Sequence, residues 1–587
     1  MNLKKNLHSK IESIIFRFKS LPLCKSYPLR HNNPSFGDYA PQFLYFLAVI
    51  FYVGYLLLMQ PHWVLGGEMW AEMATNYFEN ASSPSFLVRF FATDAGYIPL
   101  PQRLIAFLAN LFRFPASSIP YFYTWSAIFG TSLMVGIFCI ERFRFLIPSD
   151  LMRFLVVLFV LMVVDFESRT FINFTYFACF YVTIITALVY ADGLDECPWW
   201  VWICPILVLS KPAVLATLPA MVFVGIAKFK RNPIFLYVSI GSASVGVLQI
   251  MRMFLGSNFE NLPIAPVNVT LFTQIIASFE YFFGFFGGYL IGQAHPLSSS
   301  VLITVGAITV FLILIFILRV RSREGTVILF GFSLIFFNVL LNCYSMNWGW
   351  NMDLVRLTGV PVFRHIIPAF FGSILVIAGF ISLVCSRVGL MSNVAPIIFI
   401  LWFLISGWFV VAGNLTRDPT SPTVNNSQWQ KTSQAVDFGR SPLCVPIDPW
   451  WRGKSWIYER NCKLLIDGPD WGDGTYDMSD SLSVLIDVPG ELSGKSIWFT
   501  ALLVKPLSAQ SQMIEAEMVI VKKSGAVKRF TGSRNLDAGG GLILLDGDSG
   551  IPVSEISSIR LSFNVPVRVA KAIKNSANLP GVAWMGN

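Results

Sequence analysis

Charge is scarce in this sequence. Asp, Glu, Lys and Arg make up 13% of its 587 residues, about half the share of an ordinary soluble domain. With 55% apolar residues and a mean hydropathy of +0.61, a soluble fold of this length could not hide its apolar surface, which excludes a purely soluble enzyme. Histidine is nearly missing too: His8, His31, His62, His295 and His365 are scattered and offer no zinc spacing. There is no Gly-x-x-x-x-Gly-Lys loop to cradle phosphates and no Gly-x-Ser-x-Gly elbow to present a nucleophile. No cleavable signal is expected at the N-terminus, since a long polar and basic stretch precedes the first apolar run, and that run is expected to serve as the targeting signal. Of nine cysteines, Cys24, Cys139, Cys179, Cys197, Cys204, Cys343 and Cys385 fall in the N-terminal tail or in and beside apolar runs. Cys444 and Cys462 stand apart, close enough to close one loop in an oxidising compartment; either a disulfide or two buried thiols fits.

What the sequence does have is long apolar runs, concentrated in residues 42–412. A membrane span needs roughly twenty such residues. Spans are expected near 42–59, 119–140, 151–166, 174–191, 198–210, 212–227, 235–255, 299–319, 326–345, 366–385 and 391–412, eleven in all. The formal charge of +9 does not form a nucleic-acid stripe. It sits in short clusters, at Lys4/Lys5, Arg142/Arg144, Lys228/Lys230/Arg231 and Arg319/Arg321/Arg323, each beside a span. With the N-terminal tail (1–41) in the cytoplasm, every cluster falls on the cytoplasmic side and the C-terminus falls outside.

Two features depart from a plain bundle. Residues 198–227 are short for two crossings and break at Ser210-Lys211-Pro212, where proline cannot continue a helix and lysine would be costly in lipid. The long external segments 60–118 and 256–298 carry helical periodicity over 68–80, 102–114 and 270–286, which predicts helices along the membrane surface; a third external loop covers 346–365. Residues 413–587 alternate apolar and polar residues in runs such as Ser483–Ile486, Met518–Val521 and Ile559–Phe563. Asp473-Gly474, Gly539-Gly540-Gly541 and Asp546-Gly547-Asp548 read as turns between them, so an extracytoplasmic β-sandwich of jelly-roll type is expected.

The densest chemical signal lies in the first external loop. Glu68 and Glu72, four apart, are expected to share one face of a helix just beyond the first span. Like charges so placed disfavour ionisation of both and suit general-base work on a hydroxyl; carboxylates kept for solubility are the alternative. Arg364 and His365 stand at the start of a late span, where a guanidinium can pair with a lipid-borne phosphate. Lys211, Arg169, Arg103 and Arg89 add positive charge, which snorkelling toward headgroups would equally explain for Arg89 and Arg103. The aromatic stretches Asn347–Asp353 and Asp448–Arg452 could stack on sugar rings, although interfacial tryptophans need no ligand.

The order of first span, Gly67-Glu68-Met69-Trp70-Ala71-Glu72, then Asp94 and Tyr97-Ile98-Pro99-Leu100-Pro101, resembles the GT-C superfamily of membrane glycosyltransferases. Glu167–Tyr176, Leu209-Ser210-Lys211-Pro212 and Phe363-Arg364-His365-Ile366-Ile367-Pro368 are similar to segments in its bacterial O-antigen and cell-envelope members, including serotype-converting glucosyltransferases. The resemblance implies transfer of a sugar, such as glucose, from a polyprenyl-phosphate carrier to an extracytoplasmic glycan, lipid-linked or polymeric, with inversion. It implies Glu68 as base, Glu72 as its partner or substitute, Asp94 on a sugar hydroxyl, and Arg364, His365, Lys211, Arg169 and Arg103 around the phosphate. No cofactor, metal or nucleic acid is expected, and the place is the inner membrane of a bacterium, with the C-terminal domain in the periplasm. A flippase or transporter of a lipid-linked glycan is the rival reading.

Overall fold

The computed structural model describes residues 40–94, 96–162, 169–192, 197–255, 271–291, 297–320, 322–345, 366–388, 394–407, 428–439, 443–451, 454–460, 476–478, 482–486, 496–536, 538–569 and 582–586. In chain order the helices are α1 (Ala40–Met59), α2 (Pro61–Gly66), α3 (Glu79–Ala81), α4 (Phe86–Phe91), α5 (Leu100–Leu111), α6 (Ile119–Gly136), α7 (Asp150–Met162), α8 (Ala178–Tyr190) and α9 (Cys204–Val208). They continue with α10 (Leu218–Ala227), α11 (Pro233–Leu255), α12 (Leu271–Ile291), α13 (Ser299–Val320), α14 (Arg323–Ser345), α15 (Ile367–Val388), α16 (Val394–Trp402) and α17 (Gln428–Asp437).

Among the described residues, six helical stretches are long and apolar enough to cross a membrane: Pro41–Met59, Ile119–Cys139, Pro233–Met253, Ser299–Val320, Arg323–Asn342 and Ile367–Val388. Shorter apolar helices cover Phe174–Tyr190, Trp199–Val208, Pro212–Ala227, Ile275–Ile291 and Val394–Gly407. The chain is therefore helical and membrane-like over its first two thirds and strand-rich at its C-terminal end. It divides into two compact units. One holds residues 1–59, 91–104 and 126–419; the other holds 60–90, 105–125 and 420–587. Most of the segment 60–118 therefore belongs to the same unit as the C-terminal segment.

In the helical unit small residues set the packing. A Cβ on Gly331 would meet the carbonyl of Gly372 at 2.7 Å, and one on Gly372 would meet that of Gly331 at 2.6 Å, so α14 and α15 approach backbone to backbone. The same device joins α12 to α13, where a Cβ on Gly306 would collide with the carbonyl of Phe283 and one on Gly287 with that of Leu302. The segment 270–286, expected along a membrane surface, thus has one side packed against other helices of the unit. Phe282 and Phe286 of α12 pack on Phe332 of α14, Tyr289 packs edge-on against Phe370 of α15, and all three are buried.

Among the described residues, cations of three of the basic clusters bind neighbouring turns of this unit. Arg153 is fully buried and donates to the carbonyls of Phe138 and Ile147 and to Asp150, which also receives Arg144 at 2.6 Å. Arg323 lies over the Phe145 ring at 3.9 Å, Arg387 donates to the Val320 carbonyl at 2.9 Å, and Phe143 packs against Trp200. Lys228 and Arg231 close on Asp192 at 2.7 and 2.5 Å. Cation contacts thus tie Asp192 to the turn at 228–232 and Arg323 to the turn at 141–150, and an aromatic contact ties the latter to Trp200.

In the second unit, strands β1 (Leu443–Trp451) and β2 (Lys454–Arg460) form a hairpin. The remaining strands are β3 (Tyr476–Met478), β4 (Ser483–Ile486), β5 (Ser496–Pro506), β6 (Gln512–Lys522), β7 (Val527–Leu536), β8 (Gly541–Pro552), β9 (Ile556–Phe563), β10 (Val567–Val569) and β11 (Val582–Gly586). They make one sheet in the order β3-β10-β5-β8-β7-β6-β9-β4, with β11 also on β5. Alternation is clean: Ile514, Ala516, Met518 and Ile520 face the core with Ile559, Leu561 and Phe563, while Glu515 is exposed. Asp546-Gly547-Asp548, expected as a turn, lies inside β8. There the pairing with β5 jumps from Phe499↔Asp546 to Ile497↔Ile551, so the register is broken beside Gly547.

Candidate functional site

Gly96, at φ +85°, adopts a left-handed conformation that costs glycine nothing and reverses the chain. Asp94 and Tyr97 then face each other and exchange both backbone hydrogen bonds, at 2.8 and 3.1 Å. Pro99 ends the turn and α5 begins at Leu100, with Pro101 in its first turn, where the missing N–H is harmless. The Leu100 N–H donates to the Leu209 carbonyl at 2.8 Å, which brings this turn to the break between α9 and the 3-10 helix Pro212–Thr217. Lys211 at that break is extended, as a residue before proline must be.

The contact places three polar side chains together in an apolar body. The Tyr97 hydroxyl donates to Asp94 Oδ2 at 3.2 Å and accepts from Lys211 Nζ, whose ammonium also sits 4.5 Å from the centre of the Tyr97 ring. Asp94 is 2% and Lys211 7% exposed. A lone buried charge of either sign would be prohibitive, whereas a bridged pair is tolerated.

Gln249 of α11 holds the arrangement, and the sequence reading missed it. It is fully buried. Its Oε1 accepts from the Ile98 N–H at 3.0 Å, and its Nε2 donates to the carbonyls of Ile98 at 3.3 Å and Ser210 at 2.7 Å. The signal was there: Gln249 is the sole Asn or Gln in a 23-residue apolar helix, where an amide is expensive unless its partners are built in. Tyr97 was read only as part of a turn.

Other expected residues lie elsewhere. Arg103, 1% exposed, donates to the Ala92 carbonyl at 3.1 Å, and neighbouring Gln102 donates to the Ile172 carbonyl at 2.9 Å. Arg169 stands over the Tyr55 ring at 5.1 Å and donates to the Tyr55 hydroxyl and the Met162 carbonyl, both at 3.3 Å. These belong to the helical unit, as do Asp94 and Lys211. Arg89, in the second unit, donates to the Ser83 carbonyl. Arg364, His365 and Cys462 lie outside the described residues. Cys444 is described only as a backbone position in β1, opposite Glu459.

Glu68 and Glu72 do not share a helical face. Gly67 at φ +67° ends α2, Ala71 at φ 47° turns the chain again, and Glu72 precedes a π-helical turn, Met73–Phe78. The Glu68 carboxylate accepts from the backbone N–H groups of Trp429 at 2.9 Å and Gln430 at 3.2 Å. It therefore satisfies two of the free donors in the first turn of α17. Gln430 returns the contact to the Gly67 carbonyl at 2.6 Å, and the buried Trp429 donates to the Ala116 carbonyl at 2.7 Å and packs on Phe78 and Tyr458. Burial pushes the Tyr458 phenol up against the counter-pull of Arg460.

Among the described residues, no group of three or more His, Cys, Asp or Glu could hold a metal ion. Comparison with protein-family models, with curated proteins and with solved structures finds no match.

Proposed function

We propose that this chain is a polytopic inner-membrane glycosyltransferase of GT-C type, moving a hexose such as glucose from a polyprenyl phosphate to a periplasmic glycan such as O-antigen. The reading rests on the resemblance in motif order, and one observation carries it furthest: a carboxylate and an ammonium joined through a phenol and buried in the helical unit. The proposal puts the basic clusters in the cytoplasm and has Asp94 and Lys211 act on the periplasmic side. The eleven crossings and the jelly-roll-like C-terminal domain belong to the same proposal.

Asp94, rather than Glu68, takes the role of base, because Glu68 has both oxygens on a helix terminus. Asp94 removes the proton from an acceptor hydroxyl as that oxygen attacks the anomeric carbon. The bond from that carbon to the phosphate oxygen breaks, and the departing polyprenyl phosphate keeps the electron pair, stabilised by Lys211. Attack opposite the leaving group inverts the centre. Arg364 and His365 remain candidates for the phosphate, and Glu72 for the acceptor.

The test compares surface glycan from cells expressing the native chain, Asp94→Asn and Lys211→Met at matched membrane levels. Loss of one sugar per repeat in both variants, by a factor of at least ~100 for the missing base, is the expected outcome. Unchanged glycan sinks the assignment. One observation favours the transporter reading: a buried lysine at a break between two short helices is also how carriers build a substrate site. On that reading the variants would strand a complete lipid-linked glycan on the cytoplasmic face.

A further inference from the structure

Asp94, acting as a base, gains a proton from the acceptor hydroxyl and has to shed it before the next turnover. It is 2% exposed, so once a substrate is seated against it no bulk water is left in reach. The group set against it is Tyr97, itself 5% exposed. Its hydroxyl donates to Asp94 Oδ2 at 3.2 Å and accepts from Lys211 Nζ. A hydroxyl accepts and donates at once, so the carboxylate and the ammonium are joined by a path along which hydrogens can pass. The backbone keeps that path aligned: Gln249 holds Ile98, next to Tyr97, and Ser210, next to Lys211. A bridge that served packing alone would need only the ring, which already lies 4.5 Å from the ammonium.

We propose that Tyr97 is a proton conduit from Asp94 to Lys211, so that the proton taken from the acceptor leaves on the departing phosphate. The inference rests on the glycosyltransferase reading and adds a positioning residue to it. The acceptor O–H bond breaks as an Asp94 O–H bond forms, while the acceptor oxygen bonds to the anomeric carbon and the bond from that carbon to the phosphate oxygen breaks. Lys211 gives one N–H proton to the phosphate, which gains an O–H bond and leaves a neutral amine. The Tyr97 hydroxyl swings from Asp94 to that amine and hands over its proton. A half-turn of the Asp94 carboxyl then presents the acquired proton to the phenolate, which takes it. One proton has moved from acceptor to phosphate, and carboxylate, phenol and ammonium are restored. Phenols and alkyl ammoniums release protons over the same range, so the handover between Tyr97 and Lys211 is nearly level. Phosphate monoesters hold their last proton more tightly than carboxylic acids hold theirs, so the whole transfer runs downhill.

The test uses the full-length chain in liposomes, a synthetic polyprenyl phosphate glucose as donor, and lipid-linked glycan from cells lacking this chain as acceptor. Single-turnover transfer is followed in mixtures of H2O and D2O. The native chain is compared with Asp94→Asn, with Tyr97→Phe, and with a chain whose Tyr97 is replaced by 3,5-difluorotyrosine. Tyr97→Phe keeps the ring beneath Lys211 and should slow transfer by about 100-fold, with the half-saturating donor concentration unchanged. The native rate should fall with D2O content along a curve, because several protons move, and the Tyr97→Phe rate along a straight line. The difluorotyrosine chain keeps the hydroxyl and should be faster than Tyr97→Phe and retain the curve. A native rate in Tyr97→Phe overturns the conduit and leaves the glycosyltransferase reading standing. Equal slowing in the Phe and difluorotyrosine chains, or the same dependence on D2O in the native and Phe chains, overturns it as well, since the phenol then only packs. Undiminished transfer by Asp94→Asn, or none by the native chain, overturns the reading itself and the conduit with it.

Discussion

Glu68 fixes the position of α17 by accepting two N–H groups that would otherwise face no partner. Glu68→Ala leaves them open and should lower the stability of the second unit by about 1 kcal/mol, up to about 2. Glu68→Gln keeps one acceptor and should cost less. Thermal unfolding followed through tryptophan emission checks this, and glycan transfer should survive Glu68→Gln if Asp94 is the base. Gly67 beside it has φ +67°, and a Cβ there would lie 2.5 Å from Tyr121 Cε2; Gly67→Ala should cost about 2 kcal/mol in the same measurement. At the start of α7, burial opposes ionisation of Asp150, but hydrogen bonds and charge from Arg144 and Arg153 win and hold its carboxyl below the ordinary 3.8. Its stabilisation is therefore complete above that value and lost as pH falls below it. Asp150→Asn leaves the guanidinium of Arg153 buried without its counter-charge and should cost up to about 3 kcal/mol at neutral pH, short of the fully buried case because Asp150 is partly exposed.

Among the elements, α12 and α13 meet where glycine faces glycine, and the fit leaves no room for a side chain. Gly306→Leu would push the two helices apart and should destabilise the helical unit by about 2–3 kcal/mol, read as a lowered midpoint of thermal aggregation in detergent. The sequence showed α12 as a periodic apolar helix but not its place, because a glycine pair 19 positions apart has no local signature. The break at Ser210-Lys211-Pro212 was legible, since proline and lysine act through local rules. The loss of the Glu68/Glu72 helix was not: Ala71 at positive φ is a conformation its own sequence does not favour, held by the packing of Trp70 and Met73, both buried.

At the scale of the whole molecule, the hydrogen bonds between Glu68 and α17 put residues 68 and 429 on one side of any membrane the chain crosses. The number of crossings between them must then be even. Among the described residues, five of the six helices long and apolar enough to cross follow α1; a topology in which all five cross therefore requires an odd number of further crossings. A topology reporter active only outside the cytoplasm should be active when fused after Asn587 and silent when fused after Lys230; the same state at both sites would break the proposed orientation.

By itself the sequence determined the membrane-like body, the strand-rich end, the broken helix at Lys211 and the presence of Asp94, Arg103 and Arg169 among the residues worth testing. These follow from hydropathy, proline geometry and the cost of charge in an apolar run, all of which act within a few residues. Only the tertiary structure decided that Glu68 caps a helix 361 residues away and that most of the first loop packs with the C-terminal segment. It alone joined Asp94, Tyr97 and Lys211 under the amide of Gln249, 151 residues from Ile98. A polar group states in the sequence that it needs a partner; which partner it finds depends on how the apolar surfaces of the whole chain close.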